Sequence, residues 1–274
     1  MGERFPVYFI PHGGGPWPFM EFPKDAQGHG PWDDLGAFLK GLDAEIGRRP
    51  KAVLVVSGHW ETEPVPTVST APNPPMLFDY YNFPAHTYEL SYPARNALDL
   101  ASRARELLGA VGIESAENAQ RGFDHGVFIP LMLIYPEADV PITMISLKNT
   151  LDAESHFKIG EALAPLRDED VLILASGMSY HNMREFRRAL PEHVSEAVRF
   201  DDWLTEAVEL SDPQARAERL ATWAENPDAR ACHVPDHDHL VPLFVAAGAG
   251  GTDAAKRVFR GSFMGKPYSG YRFG

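Results

Sequence analysis

The sequence has almost no cysteine. Cys232 is the only one in 274 residues, so no intrachain disulfide can form and no thiolate-rich zinc site can be built. No apolar run approaches membrane-spanning length, and residues 1–6 carry no apolar signal region. Pro6 also breaks a myristoylation pattern. Positive charge is scarce, with 25 Lys and Arg against 38 Asp and Glu, for a net charge of −13. Such a chain repels nucleic acid and anionic membrane, so neither is an expected partner. A cytoplasmic location follows as the expectation. Repeats, low-complexity segments and domain linkers are also missing, so residues 1–274 read as one domain. At 44% hydrophobic and 23% charged residues, the chain has an ordinary globular composition and enough length for a full core.

Several motifs are missing as well. No H-E-x-x-H occurs, which excludes a zincin. Gly13-Gly14-Gly15 is not followed by Gly-Lys-Ser/Thr, so it is not a phosphate-binding loop. It reads as a tight turn that lets the backbone approach a site. His59-Trp60-Glu61 matches the H-x-E of zinc deaminases, but the cysteines they require are absent.

What the chain does have is short buried-strand patterns that end near histidines. Residues 51–60 read KAVLVVSGHW, a continuous apolar run rich in β-branched residues that stops at Ser57-Gly58-His59. Runs of this kind form strands buried on both faces of a parallel sheet. Residues 7–10 repeat the pattern before Pro11-His12-Gly13-Gly14-Gly15-Pro16, and residues 171–175 before Ser176-Gly177-Met178-Ser179-Tyr180-His181. Residues 141–147 read as a further strand. Between the strands lie amphipathic patterns. Leu35, Phe38, Leu39, Leu42 and Ile46 share one helix face. Helices are also predicted over residues 93–108, 152–164, 192–210 and 213–225, while 127–135 and 240–247 are apolar segments. Residues 61–93 read as a long aromatic loop, with Phe78, Tyr80 and Tyr92 as candidate pocket walls. The alternation predicts an α/β fold: a single domain with a central, largely parallel sheet flanked by helices. Ligands of such sheets bind at the carboxyl ends of the strands, and the metal site is expected there.

Eleven histidines need sorting. His29, His86, His156, His193, His233 and His237 read as structural or exposed. His12, His59 and His181 differ because each follows a buried strand, and converging neutral imidazoles suit zinc, iron or copper. His239, at the mouth of an apolar segment, is the fourth candidate ligand. His125, between Asp124 and Gly126, is the candidate acid–base group, since imidazole titrates near neutrality. A serine hydrolase is the competing reading. His12-Gly13-Gly14-Gly15 looks like an oxyanion motif, Ser179 sits in an elbow-like turn, and Asp236 and His239 follow in order. That reading needs a small residue where His181 stands, and it leaves His59 and His125 without a role.

Five segments together carry a resemblance: residues 11–16, Ser57-Gly58-His59-Trp60, Gly122-Phe123-Asp124-His125-Gly126, residues 176–182, and His239-Leu240-Val241-Pro242-Leu243. With them the chain resembles the class III extradiol ring-cleavage dioxygenases, in the single-chain DOPA-dioxygenase-like branch, nearly end to end. The resemblance implies one non-haem metal, Fe(II) for catalysis, with Zn(II) able to occupy the same site. It implies a small aromatic catechol and O2 as substrates. His12 and His59 match two metal ligands. His239 stands where two-subunit members carry a glutamate, a departure from the 2-His-1-carboxylate pattern. His181 matches a histidine described as an acid–base group or as an additional ligand, and His125 an active-site histidine off the metal. A homodimer is compatible with the sequence and not required by it. A related fold also serves proteins that keep a metal pocket without catalysis, a third reading that the full histidine set disfavours.

Overall fold

The computed structural model describes residues 4–274. Part of the stretch expected to lack a signal region, residues 1–3, lies outside the described residues. Among the described residues ten strands are formed: β1 (Val7–Pro11), β2 (Ala52–Ser57), β3 (Thr67–Ser69), β4 (Ala116–Asn118), β5 (Ile142–Ile145), β6 (Val171–Gly177), β7 (His181–Asn182), β8 (His233–Val234), β9 (Ala255–Phe263) and β10 (Lys266–Phe273). Eight of them make one sheet in the order β4-β3-β5-β2-β6-β1-β10-β9. Its centre, β5-β2-β6-β1, is parallel throughout. β1, β2 and β6 are buried along their full lengths, which is why they read as unbroken apolar runs.

Eight α-helices accompany them among the described residues: α1 (Asp33–Ile46), α2 (Leu98–Ala110), α3 (His125–Ile134), α4 (Ala153–Leu163), α5 (Pro191–Val208), α6 (Pro213–Ala221), α7 (Ala229–Cys232) and α8 (Val241–Gly250). α1 packs with α3, α3 meets β2 and β6, and α8 lies across β6 and β1 with α4 against it. α1 buries Leu35, Leu39 and Leu42, the face its spacing predicts. α3 and α8 are apolar all round and almost wholly buried, so they show no amphipathic signal. No helix among the described residues is long and apolar enough to cross a membrane.

Three local expectations change. The segment 61–93 is not structureless, since it contains β3 and a short 3-10 turn at Ala85–Tyr88. The helix expected from residue 93 starts at Leu98, because Asn96 bridges Ile142 in extended backbone and its side-chain amide donates to Ser69 O. The helix expected over 213–225 ends at Ala221, followed by a 3-10 turn at Trp223–Glu225. The C-terminal tail, given no element from sequence, forms the antiparallel hairpin β9-β10 and extends the sheet past β1.

Candidate metal centre

Because β2, β6 and β1 are adjacent and parallel, their carboxyl ends lie side by side. His12 directly follows β1, His59 comes two residues after β2, and His181 opens β7 just beyond β6. His125 is the first residue of α3, and His239 precedes α8. The main chain ties these ends together. His12 N donates to Gly177 O at 3.2 Å, Gly58 N to Ser176 O at 3.0 Å, and Met178 N to His239 O at 2.9 Å. Gly177 has to be glycine, because a Cβ there would lie 2.2 Å from His239 O.

All the sequence-predicted site histidines come together. The ring of His12 lies 4.9 Å from His59, 5.2 Å from His125 and 5.0 Å from His239, centroid to centroid. His59 and His125 are 4.0 Å apart. His181 stacks on His239 at 3.5 Å with a 13° interplanar angle. Ring nitrogens of His12, His59 and His125 all fall within 4.8 Å of one another, and His181, Asp238 and His239 form a second such group. By distance alone, His125 is therefore as close to the centre as the expected ligands.

The donor orientation fits a metal. His12 Nδ1–H donates to Gly13 O at 2.8 Å. This leaves Nε2 as a lone pair, buried and without any partner. Buried polar atoms are nearly always paired, so an orphan aimed into a cluster of imidazoles needs a reason. His59 Nε2 and His239 Nε2 approach to 3.1 Å. Two nitrogens bound to one ion at about 2.0–2.1 Å sit roughly 3 Å apart. The set can hold one divalent ion. Burial, aided by the neighbouring rings, holds His12, His59 and His181 well below the usual histidine range. These three rings are neutral and available as donors near pH 7.

A family model described as the catalytic LigB subunit of aromatic ring-opening dioxygenase matches residues 7–274. The chain belongs to this family. It is 37% identical over 240 residues to 4,5-DOPA dioxygenase extradiol of Beta vulgaris, covering 86% of this chain and 88% of that protein. It is 35% identical over 283 residues to a protein of Hapsidospora irregularis named Dioxygenase tasH, covering 98% and 85%. The crystal structure of an uncharacterized protein of Escherichia coli K12 superposes with a TM-score of 0.77 at 26% identity, covering 99% of this chain and all of that one. The chain is an extradiol ring-cleavage dioxygenase of the DOPA-dioxygenase-like kind.

In this LigB-family chain two carboxylates that sequence reasoning missed touch the cluster. Asp79 accepts from His125 Nδ1 at 2.7 Å and lies 3.3 Å from His59 Nδ1. Burial alone would raise its pKa, but the hydrogen bond and charge of His125 win and lower it. Asp238 lies 3.0 Å from His239 Nδ1. Burial opposes its ionisation too, and contact with His239 brings it down to about 2. A third carboxylate, Asp124, accepts from Ser57 Oγ and Arg121 Nη2 at 2.8 Å each, joining the end of β2 to the start of α3. Asp238 had a sequence signal in its adjacency to His239. Asp79 had none, being 46 residues from His125.

The serine-hydrolase alternative does not survive the geometry. Ser179 Oγ accepts from Ser269 N at 2.8 Å, in β10, and no histidine bonds to it among the described residues. Asp236 is exposed and pairs with His237, not His239. Gly13, with φ of +77°, makes room for the Trp17 indole that donates to His12 O at 2.8 Å, so the glycine run seats the loop that carries His12. Of the aromatic candidates, Tyr80 meets His125 edge-on at 5.8 Å and Phe78 packs on Tyr80. Tyr92 instead anchors to Tyr135 O at 2.9 Å. Of the remaining histidines, His233 in β8 pairs with His181 in β7. His29 and His86 are exposed, and His156 is buried, accepting from Lys148 N at 3.0 Å.

Proposed function

We propose that the whole chain acts as one catalytic domain that opens a catecholic ring with O2, using one divalent metal held by His12, His59 and His239. Fe(II) is the catalytic metal in this reading, and Zn(II) suits the same donors but has no redox change. His181 serves as a further ligand or as an acid–base group beside the metal, and His125 as an acid–base group off it. The observation that carries the reading is the buried, unpartnered Nε2 of His12 facing the rings of His59, His125 and His239.

When bound, the metal supplies the electronic link between catecholate oxygens and O2 that no side chain offers. The residues do the rest. His125, fixed through Nδ1 by Asp79, presents Nε2 to take a proton from a substrate hydroxyl and return it as the ring opens. Burial of His12 and His239 keeps water from the donor side. Tyr80 and Phe78 support His125 from the aromatic side. The carbon–carbon bond beside the hydroxyls breaks and both oxygen atoms enter the product, so no external reductant is needed. Relatives named for 4,5-DOPA make DOPA the first catechol to test.

The test is anaerobic metal titration followed by exposure to air with a panel of catechols, read by visible spectra. One metal per chain and a coloured ring-opened product are expected from the wild type, and neither from His12→Ala. An iron-loaded wild type that leaves every catechol intact would overturn the proposal.

A further inference from the structure

We infer that Asp79 is a positioning residue, tying the metal-facing imidazole of His59 to the proton-transferring imidazole of His125 through the ring nitrogens that point away from the metal. The inference rests on the histidine roles proposed above. Asp79 divides its two oxygens between two rings. Oδ1 accepts from His125 Nδ1 at 2.7 Å and from the His125 backbone N–H at 3.0 Å. Oδ2 lies 3.3 Å from His59 Nδ1. Asp238, on the other side of the cluster, does not repeat the arrangement, because the Nδ1 atoms of His239 and His181 are buried without a hydrogen-bond partner. Its Oδ1 accepts from the His239 backbone N–H at 2.9 Å and lies 3.0 Å from His239 Nδ1 and 3.7 Å from His181 Nδ1. At His12, Nδ1 is held by the Gly13 carbonyl instead.

The chemistry explains why a carboxylate stands at position 79. A neutral imidazole carries one proton and can place it on either nitrogen. An anion at Nδ1 holds the proton there, which leaves Nε2 as the lone pair that binds a metal or accepts a substrate proton. A carboxylate only accepts, so it can satisfy two rings at once. An amide of the same size would offer one acceptor and one donor, and the donor would oppose an Nδ1–H. The Asp79 side chain is only 20% exposed, so water replaces it poorly. The coupling also means that a ligand ring and a proton-transfer ring turn together.

The test uses the full chain labelled with 15N-histidine, so that ring tautomers are read without any metal, and measures Zn2+ affinity by chelator competition in parallel. The variants are Asp79→Asn and Asp238→Asn, with Asp236→Asn as a control that touches only His237. Wild type is expected to show Nδ1–H tautomers at His12, His59 and His125. Asp79→Asn should shift His59 and His125 and leave His12 unchanged, whereas Asp238→Asn, beside rings whose Nδ1 atoms it does not hydrogen-bond, should leave His59 and His125 as in wild type. Asp79→Asn should weaken Zn2+ binding roughly 10–100-fold, the usual effect of losing an outer hydrogen-bond partner. Unchanged tautomers in Asp79→Asn with Zn2+ affinity within twofold of wild type would overturn the assignment. Shifted tautomers in a protein that never binds Zn2+ would uphold the positioning role and remove the metal from the proposed function.

Discussion

Gly177→Ala changes no histidine, yet it should disable the site. Gly177 ends β6, and a Cβ built on it falls 2.2 Å from His239 O, 3.0 Å from the Phe9 ring and 3.2 Å from His239 C. Two of these are backbone atoms, and Met178 N holds that same carbonyl at 2.9 Å, so His239 cannot swing aside freely. With ordinary non-bonded contacts near 3.5 Å, relief needs roughly 1 Å of movement. Overpacking of this kind costs about 1–3 kcal/mol, read as a fall in Tm of roughly 2–4 °C for each kcal/mol. The displaced element carries a proposed ligand, and a misplacement of about 1 Å costs roughly 10²-fold in turnover. Thermal melts, Zn2+ titration and catechol turnover on one preparation check all three effects. The control is Gly41→Ala in α1, where a Cβ meets nothing within 4 Å, and which should stabilise by about 0.5–1 kcal/mol. Gly177→Ala with metal affinity and turnover within twofold of wild type would refute the claim that β6 holds His239 in place.

Other outcomes follow from the same geometry. His12→Ala or His59→Ala should lose metal and turnover together, whereas His125→Ala should keep the metal and lose about 10²–10⁴-fold in rate, checked by metal analysis beside steady-state kinetics. Ser179→Ala should leave turnover intact while exposing the buried Ser269 N–H to a loss of its acceptor, worth about 1–3 kcal/mol by denaturant unfolding. Metal-free protein should lose stability in acid. Burial holds His12, His59 and His181 low, and burial with His237 brings His233 down to about 3. Unfolded histidine titrates near 6.5, so above that pH neither state gains protons. Below it the unfolded chain binds more protons, and stability falls from about pH 6.5 towards 3. Melts of metal-free protein at pH 7.5 and 5.5 test this, with no fall counting against neutral buried rings.

The parts of the fold that were legible in the sequence are those where burial is uniform or one-sided. β1, β2 and β6 announce themselves as apolar runs and α1 by its leucine face, and these place His12, His59 and His181 at one sheet edge. The short edge strands β3 and β4 have no such pattern, because a three-residue strand is too short to show a period. The C-terminal hairpin was missed because its residues are polar and apolar in irregular turn, with a register shift at Gly270/Tyr271. At the site, His12, His59 and His181 could be found because each follows a recognisable strand, and His239 because it precedes an apolar segment. Asp79 could not, since it reaches His59 and His125 only through the path of a long loop. The misplaced start of α2 has the same origin. Residues 93–97 look helical by composition but are recruited as extended backbone by Ser69 and Ile142.

The most direct test of the account is oxygen uptake by the wild-type chain loaded anaerobically with Fe(II) and mixed with DOPA and other catechols, with visible spectra followed in the same cell. The account predicts one O2 consumed for each coloured ring-opened product formed, and none with His12→Ala. Full iron loading with no oxygen uptake on any catechol would contradict it.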